Sequence, residues 1–286
     1  TIVGLWRRLS RTVKPVIVET YHAVGMNIPR LHRWFHAQML ARRDGVAFMA
    51  EDDYWKKFIL EHPNFHSEVI LNGVKIPSQE SVSEESQKAH RRKLGIPDAC
   101  RFVVGTIGML RPDRQPWLYL PIFAEVARVL GTDIHFVIAG GGIELDRMRF
   151  LVTEQGLEGQ VHLPGLDLNP SLTRSIMCVY ITLNVGSLTG IAAMEAASAT
   201  LPVLAVQLRD EYQDAANDWI WSSTDTREVA ERVIRLIRLP QERHELAERQ
   251  KAYIRANHTI EKMADSYFAF YRAVVKASRM KTKMSI

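Results

Sequence analysis

The chain has 286 residues, 47% of them hydrophobic, with two cysteines and a formal net charge of +5. That length and apolar content can bury one large core or two ordinary ones, and two domains is the better expectation. No apolar run is long enough to span a bilayer, no signal peptide is visible, Cys100 and Cys178 lack metal-type spacing, and the basic residues lack the aromatic interleaving of a nucleic-acid module.

The expected compartment is therefore reducing and cytoplasmic, with no nucleic-acid partner. The positive charge is uneven: residues 1–75 carry eleven Lys and Arg against seven Asp and Glu, and the tail adds Arg272, Lys276, Arg279, Lys281 and Lys283. Such a distribution gives a weak attraction to anionic lipid, hence an expected peripheral contact at the inner face of the membrane.

In chain order, Val16–Thr20 reads as a buried parallel strand, followed by a helix over Leu31–Arg43, a strand over Val46–Ala50, a helix over Glu51–Glu61 and a strand over Glu68–Leu71 ending at Asn72-Gly73. This alternation predicts a parallel α/β layer whose front half lies outside the chain. From Pro77 to Pro97 the composition turns polar, with a basic helical piece ending at Gly95, and reads as a linker. The alternation then restarts: strand Phe102–Ile107, helix Pro116–Leu130, strand Ile134–Ala139, helix Glu144–Gln155, strand Val161–Leu163, helix Leu172–Met177, strand Val179–Leu183. The chain closes with helices over Thr226–Arg238, Gln241–Asn257 and Ile260–Lys276. Together these pieces predict a doubly wound sheet with its ligands at the carboxyl ends of the strands.

The segment Val185–Val206 organises the second half. Gly186 and Gly190 bracket a turn, Ser187 and Thr189 offer N-cap hydroxyls, Ile191–Ala199 has helix-forming composition, and Pro202 precedes a buried strand. The helix start aims free N–H groups and a positive dipole end above the sheet. Glu195 is the only charged residue between Arg174 and Arg209, in a stretch built for burial. It has either a buried protein partner or a ligand, and the residues alone leave the two even. At the other strand ends, Gly108-Met109-Leu110-Arg111-Pro112-Asp113-Arg114 places two guanidinium groups that can clamp a diphosphate, and Gly140-Gly141-Gly142 lets backbone approach a ligand closely.

In order and spacing, Leu71-Asn72-Gly73-Val74, Lys93-Leu94-Gly95-Ile96-Pro97, the arginine loop, Val137 through Gly142, and Gly190 through Ala205 with Glu195 resemble the carboxyl-terminal half of the family-4 retaining glycosyltransferases of GT-B fold. The resemblance runs from about Thr20 to Tyr271. It implies an α/β architecture of two facing Rossmann-like domains: 1–76 a partial, acceptor-side domain, 77–98 a linker, 99–257 the complete nucleotide-sugar domain, and 258–286 a helix returning toward the first domain with a basic tail. It matches Glu195 to the glutamate on the donor ribose, Arg114 to the lysine on the donor diphosphate, and His22 to a histidine beside the transferred sugar. Gly108, Arg111, Gly141, Ser187, Leu188, Thr189 and Gly190 complete the implied donor site. Two departures stand out, Met109 where the family has a second cation and Ser187 where it has a sugar-binding glutamate. A third is length, and Thr1 favours a fragment.

The implied reaction moves a sugar from a nucleoside-diphosphate sugar to a hydroxyl of a glycan or lipid-linked acceptor in glycan biosynthesis, with retention at the anomeric carbon. Charge on the leaving diphosphate is met by Arg114, by Arg111 and by the helix start, so neither a metal nor another cofactor is required. The rival expectation is a catalytically lapsed relative that binds a nucleotide or only a partner, and a second is a GT-B epimerase. Other chemistries lack their residues. No Gly-x-Gly-x-x-Gly or Gly-x-Ser-x-Gly is present, and His32 and His36 have zinc-helix spacing with Arg33 in the place of the required glutamate.

Overall fold

The structure, a computed structural model, describes residues 15–21, 31, 34–35, 43–49, 66–77, 82–184, 190–207, 220–223 and 225–284. Contacts divide the chain into two units, Thr1–Gly73 with Asn257–Ile286, and Val74–Ala256.

In the first unit, strands β1 (Val18–Tyr21), β2 (Gly45–Phe48) and β3 (His66–Val69) form a parallel sheet in the order β1-β2-β3. The carboxyl-terminal helix of the chain, Ile260–Met284, packs on it through Phe270 and Val274, which are buried with Ala47 and Ile70. Gly45 permits this close approach, since a Cβ there would sit 2.6 Å from Val274 Cγ2. His66 stacks on Phe270 with ring centroids 5.6 Å apart. The helix expected over Glu51–Glu61 lies outside the described residues, as does most of the one over Leu31–Arg43.

The second unit opens with helix α1 (Glu84–Lys93), capped by Ser83 Oγ accepting from Ser86 N at 3.3 Å. This is the basic helical piece expected in the polar stretch, and it belongs to the second unit. Its attachments are polar: His90 Nε2 is 2.8 Å from Thr173 Oγ1, and Arg91 Nη1 donates to the Cys100 carbonyl at 3.0 Å. No residue of α1 is buried, whereas the following Ile96 is.

Six parallel strands follow in the order β6-β5-β4-β7-β8-β9: β4 (Phe102–Ile107), β5 (Ile134–Ala139), β6 (Val161–Gly165), β7 (Val179–Asn184), β8 (Val203–Gln207) and β9 (Ile220–Ser222). Between them run α2 (Tyr119–Leu130), α3 (Leu145–Glu154), α4 (Pro170–Ser175) and α5 (Ile191–Ser198), and then α6 (Thr226–Arg238) and α7 (Pro240–Asn257), with α8 the Ile260–Met284 helix of the first unit. Strands β4 and β5 are buried on both faces along most of their length, which is why they read as largely apolar runs. Val104, Phe136, Ile138 and Ile181 join α2 and α6 on one side, and Val103, Val137, Ala139 and Tyr180 join α5 and Ile254 of α7 on the other. Alanines 193, 196 and 197 let α5 lie close to the sheet. Gln250 of α7, itself buried, completes the start of β8 by accepting from Val203 N at 2.8 Å and donating to its carbonyl at 2.7 Å. Strand β9 was not anticipated. Its three residues, Ile220–Ser222, are too few to carry a period.

Candidate active site

The chain enters the six-stranded sheet at β4, steps outward through β5 to β6, and crosses to β7 on the other side. Connections leaving β4 and β7 therefore diverge, and a crevice opens beyond their carboxyl ends. It is wide here because β4 and β7 pair only at Val104 with Val179 and Gly105 with Tyr180. Beyond that point two tyrosines take up the freed backbone groups. The Tyr180 hydroxyl accepts from Ile107 N at 3.1 Å and donates to the Ile107 carbonyl at 2.9 Å. The Tyr119 hydroxyl accepts from Leu183 N at 3.1 Å and lies 3.3 Å from Thr106 Oγ1. Burial pushes the Tyr180 phenol up to about 12 and raises that of Tyr119, so both stay protonated at neutral pH.

Above this floor lies a pocket of about 230 Å³, walled by the end of β4, the loop through Arg114, the end of β7, and residues 190–193 at the start of α5. Its arginine loop is held by backbone. Gly108 N donates to the Ala139 carbonyl and Leu110 N to the Gly141 carbonyl, both at 2.9 Å. Gly140 (φ +154°) and Gly142 (φ +147°) are required for that closeness, because a Cβ would lie 1.7 Å from the Gly108 oxygen and 2.2 Å from the Leu110 oxygen respectively. The triple glycine was expected to admit a ligand; what Gly140 and Gly142 admit is the neighbouring loop, and Gly141 lies beside Leu166 and does not line the pocket. On the far side of the loop, the Arg147 guanidinium sits 4.3 Å from the Trp117 ring centroid and reaches Glu144 at 3.2 Å.

The two loop arginines differ. Arg111 is committed to Asp113 through two bonds, Nε to Oδ1 at 3.0 Å and Nη2 to Oδ2 at 2.6 Å. Arg114 has no carboxylate partner among the described residues and lines the pocket. Met109, beside them, is 64% exposed and supplies no charge. Facing the loop, α5 begins at Gly190, whose extended backbone (φ −65°, ψ 154°) serves as N-cap without a side-chain bond. Ala193 N and Met194 N both bond to the Gly190 carbonyl, at 3.0 and 3.2 Å, which leaves the N–H groups of Ile191 and Ala192 without an intrahelical acceptor at the pocket end of the helix.

Of the two partners open to Glu195, a protein group and a ligand, the structure supplies the first, and the carboxylate is less buried than its surroundings suggested. It is 39% exposed, and Arg174 Nη1 of α4, 13% exposed, donates to its Oε2 at 2.9 Å. The partner lies a crossover away in sequence, which hid the pair. Arg174 Nε is buried without a partner among the described residues. Thus Gly108, Arg111, Arg114 and Gly190 come together at one pocket, while Gly141 and Glu195 stand outside its walls. His22, Ser187, Leu188 and Thr189 lie outside the described residues. The hydroxyls of Thr106, Tyr119, Tyr180 and Thr182 were missed. Their only sequence signal was a tyrosine in each of two otherwise apolar core segments, where a phenol needs a partner. Among the described residues no group of three or more His, Cys, Asp and Glu is arranged for a metal, and no helix is long and apolar enough to cross a membrane.

Solved structures share this fold. HepE of Anabaena, in complex with UDP and glucose, superposes with a TM-score of 0.74 at 16% identity over 90% of this chain and 71% of that one. Sucrose-phosphate synthase from Thermosynechococcus elongatus gives 0.73 at 16% over 96% and 72%. A mutant of S. aureus TarM with fondaparinux, alpha-GlcNAc-glycerol and UDP gives 0.68 at 15% over 89% and 50%. At such identities the likeness carries the fold, α/β of GT-B type with parallel sheets. No curated protein matches the chain in sequence. The family model described as glycosyl transferases group 1 matches residues 86–253, more than half of the chain. A doubly wound unit with its pocket at the β4–β7 crevice and a family match across most of that unit, and more than half of the chain, together place this protein in the group 1 glycosyl transferases.

Proposed function

We propose that this enzyme is a family-4 retaining glycosyltransferase that moves a sugar from a nucleoside-diphosphate sugar to a hydroxyl of a glycan or glycolipid acceptor. The observation that carries the proposal is the uncommitted Arg114 facing the N-terminus of α5 across one pocket at the switch point of the sheet. A diphosphate is the ligand whose charge suits both walls. Support comes also from HepE, which is solved in complex with UDP-glucose.

In this proposal the barrier falls as negative charge developing on the leaving diphosphate is met by Arg114 and by the backbone N–H groups of Ile191 and Ala192. Arg111 joins if it exchanges Asp113 for phosphate. The leaving phosphate takes the acceptor proton, and His22 lies beside the transferred sugar. Gly108, Gly141, Ser187, Leu188 and Thr189 belong to the donor site, with Glu195 on the ribose hydroxyls. Residues 1–76 serve the acceptor side and 99–257 the donor. The enzyme works in the cytoplasm with peripheral membrane contact through its basic tail.

The test is calorimetric titration with UDP, GDP and ADP and their common sugar conjugates, without and with magnesium, followed by release of free nucleotide in the presence of acceptor sugars. Binding of one nucleotide series is the expected outcome and names the base. Binding without turnover points to a lapsed relative, for which Met109 and the Arg111–Asp113 pair are the grounds. A folded chain that binds none of them ends the donor assignment.

A further inference from the structure

The crevice is held open by groups that belong to neither a strand ladder nor a cation clamp. Ile107 is the last residue of β4, and the loop carrying Gly108, Arg111 and Arg114 begins at the next peptide. Where β7 would have paired with it, Ile107 has the single hydroxyl of Tyr180 on both its N–H and its carbonyl, at 3.1 and 2.9 Å. Opposite, Leu183 near the end of β7 has the Tyr119 hydroxyl on its N–H at 3.1 Å, and that hydroxyl is tied to Thr106 of β4 at 3.3 Å. Both tyrosines line the pocket and are almost fully buried, and so is Leu183, so the Leu183 edge has no water as a substitute, while Ile107 is part-buried and its edge is held by the Tyr180 hydroxyl. Closing β4 onto β7 would satisfy the same backbone groups and remove the pocket. Leaving them unpaired would cost stability and free the base of the arginine loop.

We propose that Tyr180 and Tyr119 are positioning residues, two hydroxyl wedges that hold the β4–β7 crevice open and set the height of the Gly108–Arg114 loop over a nucleoside diphosphate. The role rests on the donor assignment made above. Neither side chain needs to touch the reacting atoms. Tyr180 acts through the Ile107 peptide on the loop that follows it, and Tyr119 acts through Leu183 on the strand leading to α5. A misplaced loop weakens what Arg114 holds, the phosphates, more than what lies away from it.

The experiment compares Tyr180→Phe, Tyr119→Phe and the wild-type chain by calorimetry with the nucleoside diphosphate series that the wild type binds and with the matching monophosphate. Amide hydrogen exchange at Ile107 and Leu183 is read in parallel. Each variant keeps its ring in the core and loses only the hydroxyl. The expected result is a diphosphate Kd weakened about tenfold, a smaller change for the monophosphate, and faster exchange at Ile107 in Tyr180→Phe and at Leu183 in Tyr119→Phe. Unchanged diphosphate affinity in both variants overturns the proposal, as does an equal loss for the two nucleotides accompanied by a lower Tm, which marks a purely structural role. If Tyr180→Phe fails to fold, Tyr119→Phe decides alone. A wild-type chain that binds no nucleotide overturns the donor assignment and this role together, whereas wild-type binding with unaffected variants overturns only the role.

Discussion

Strand β4 has two edges that behave differently. Toward β5 it pairs at six consecutive positions, Phe102 with Ile134 through Ile107 with Ala139, and the pairing continues into the loops as Gly108 and Leu110 bond to Ala139 and Gly141. Toward β7 it pairs at two positions and then parts. The closed seam supplies rigidity and the open one supplies space, and a binding loop rooted on β4 needs both. One edge fixes where the loop starts; the other leaves room for what it holds.

The sharpest way to break the contrast is to damage the closed seam. Gly140→Ala forces a Cβ into the Gly108 carbonyl at a backbone angle that side chains rarely adopt, so unfolding free energy is expected to fall by about 2–4 kcal/mol. Chemical denaturation measures it, and an alanine variant as stable as the wild type shows that this seam is not closed as described. At the open edge, Arg114→Ala removes an exposed cation with no carboxylate partner among the described residues. Stability should stay within about 0.5 kcal/mol while nucleoside-diphosphate affinity falls roughly tenfold to a hundredfold. Unaltered affinity in calorimetry ends the role of Arg114 in the site.

Next in size is the pair beyond the pocket wall. Arg174 is mostly buried and Glu195 only partly, so Glu195→Ala is expected to cost about 1–2 kcal/mol, discounted for the exposed carboxylate. If Glu195 also binds the donor ribose, Glu195→Ala abolishes nucleotide binding and Arg174→Ala weakens it less. Equal binding losses in the two variants assign Glu195 a structural role alone. The smallest effect lies further along the closed side, where His135 Nδ1 on β5 stands 2.9 Å from His162 Nε2 on β6. Burial first, and then its neighbour His135, lowers His162 from 6.5 to about 4, and burial lowers His135 too. The unfolded imidazoles take protons at higher pH than the folded ones. Stability is therefore whole above about pH 6.5, lost as pH falls from there, and level again below about 4. Thermal melts across that window check it, and His162→Gln should flatten the slope; a slope that stays the same places the titration elsewhere.

Much of this was legible in residue order. The strands Phe102–Ile107 and Ile134–Ala139 coincide with their predicted bounds, because a parallel strand buried on both faces leaves a largely apolar run between polar turns. Helix Thr226–Arg238 coincides too, with Asp225 as its cap. Arg111 and Arg114 were placed by their loop at the end of a strand, the family resemblance added Gly108 and Gly190 to the donor site, and all four line one pocket. The position of the arginine loop follows from local pattern plus the rule that a doubly wound sheet opens at its carboxyl edge.

Other features depended on pairs far apart in the chain. Arg174 meets Glu195 across a crossover, Tyr180 meets Ile107 and Tyr119 meets Leu183 across the crevice, and Gly140 meets the Gly108 carbonyl between neighbouring strands. Helix α1 is tied to Thr173 and to the Cys100 carbonyl through His90 and Arg91. Hydrophobic period and turn chemistry act over a few residues and so place elements and their ends. Which carboxylate is neutralised, which glycine is obligatory and which cation is left uncommitted are decided by distances between strands, and those exist only once the sheet has formed.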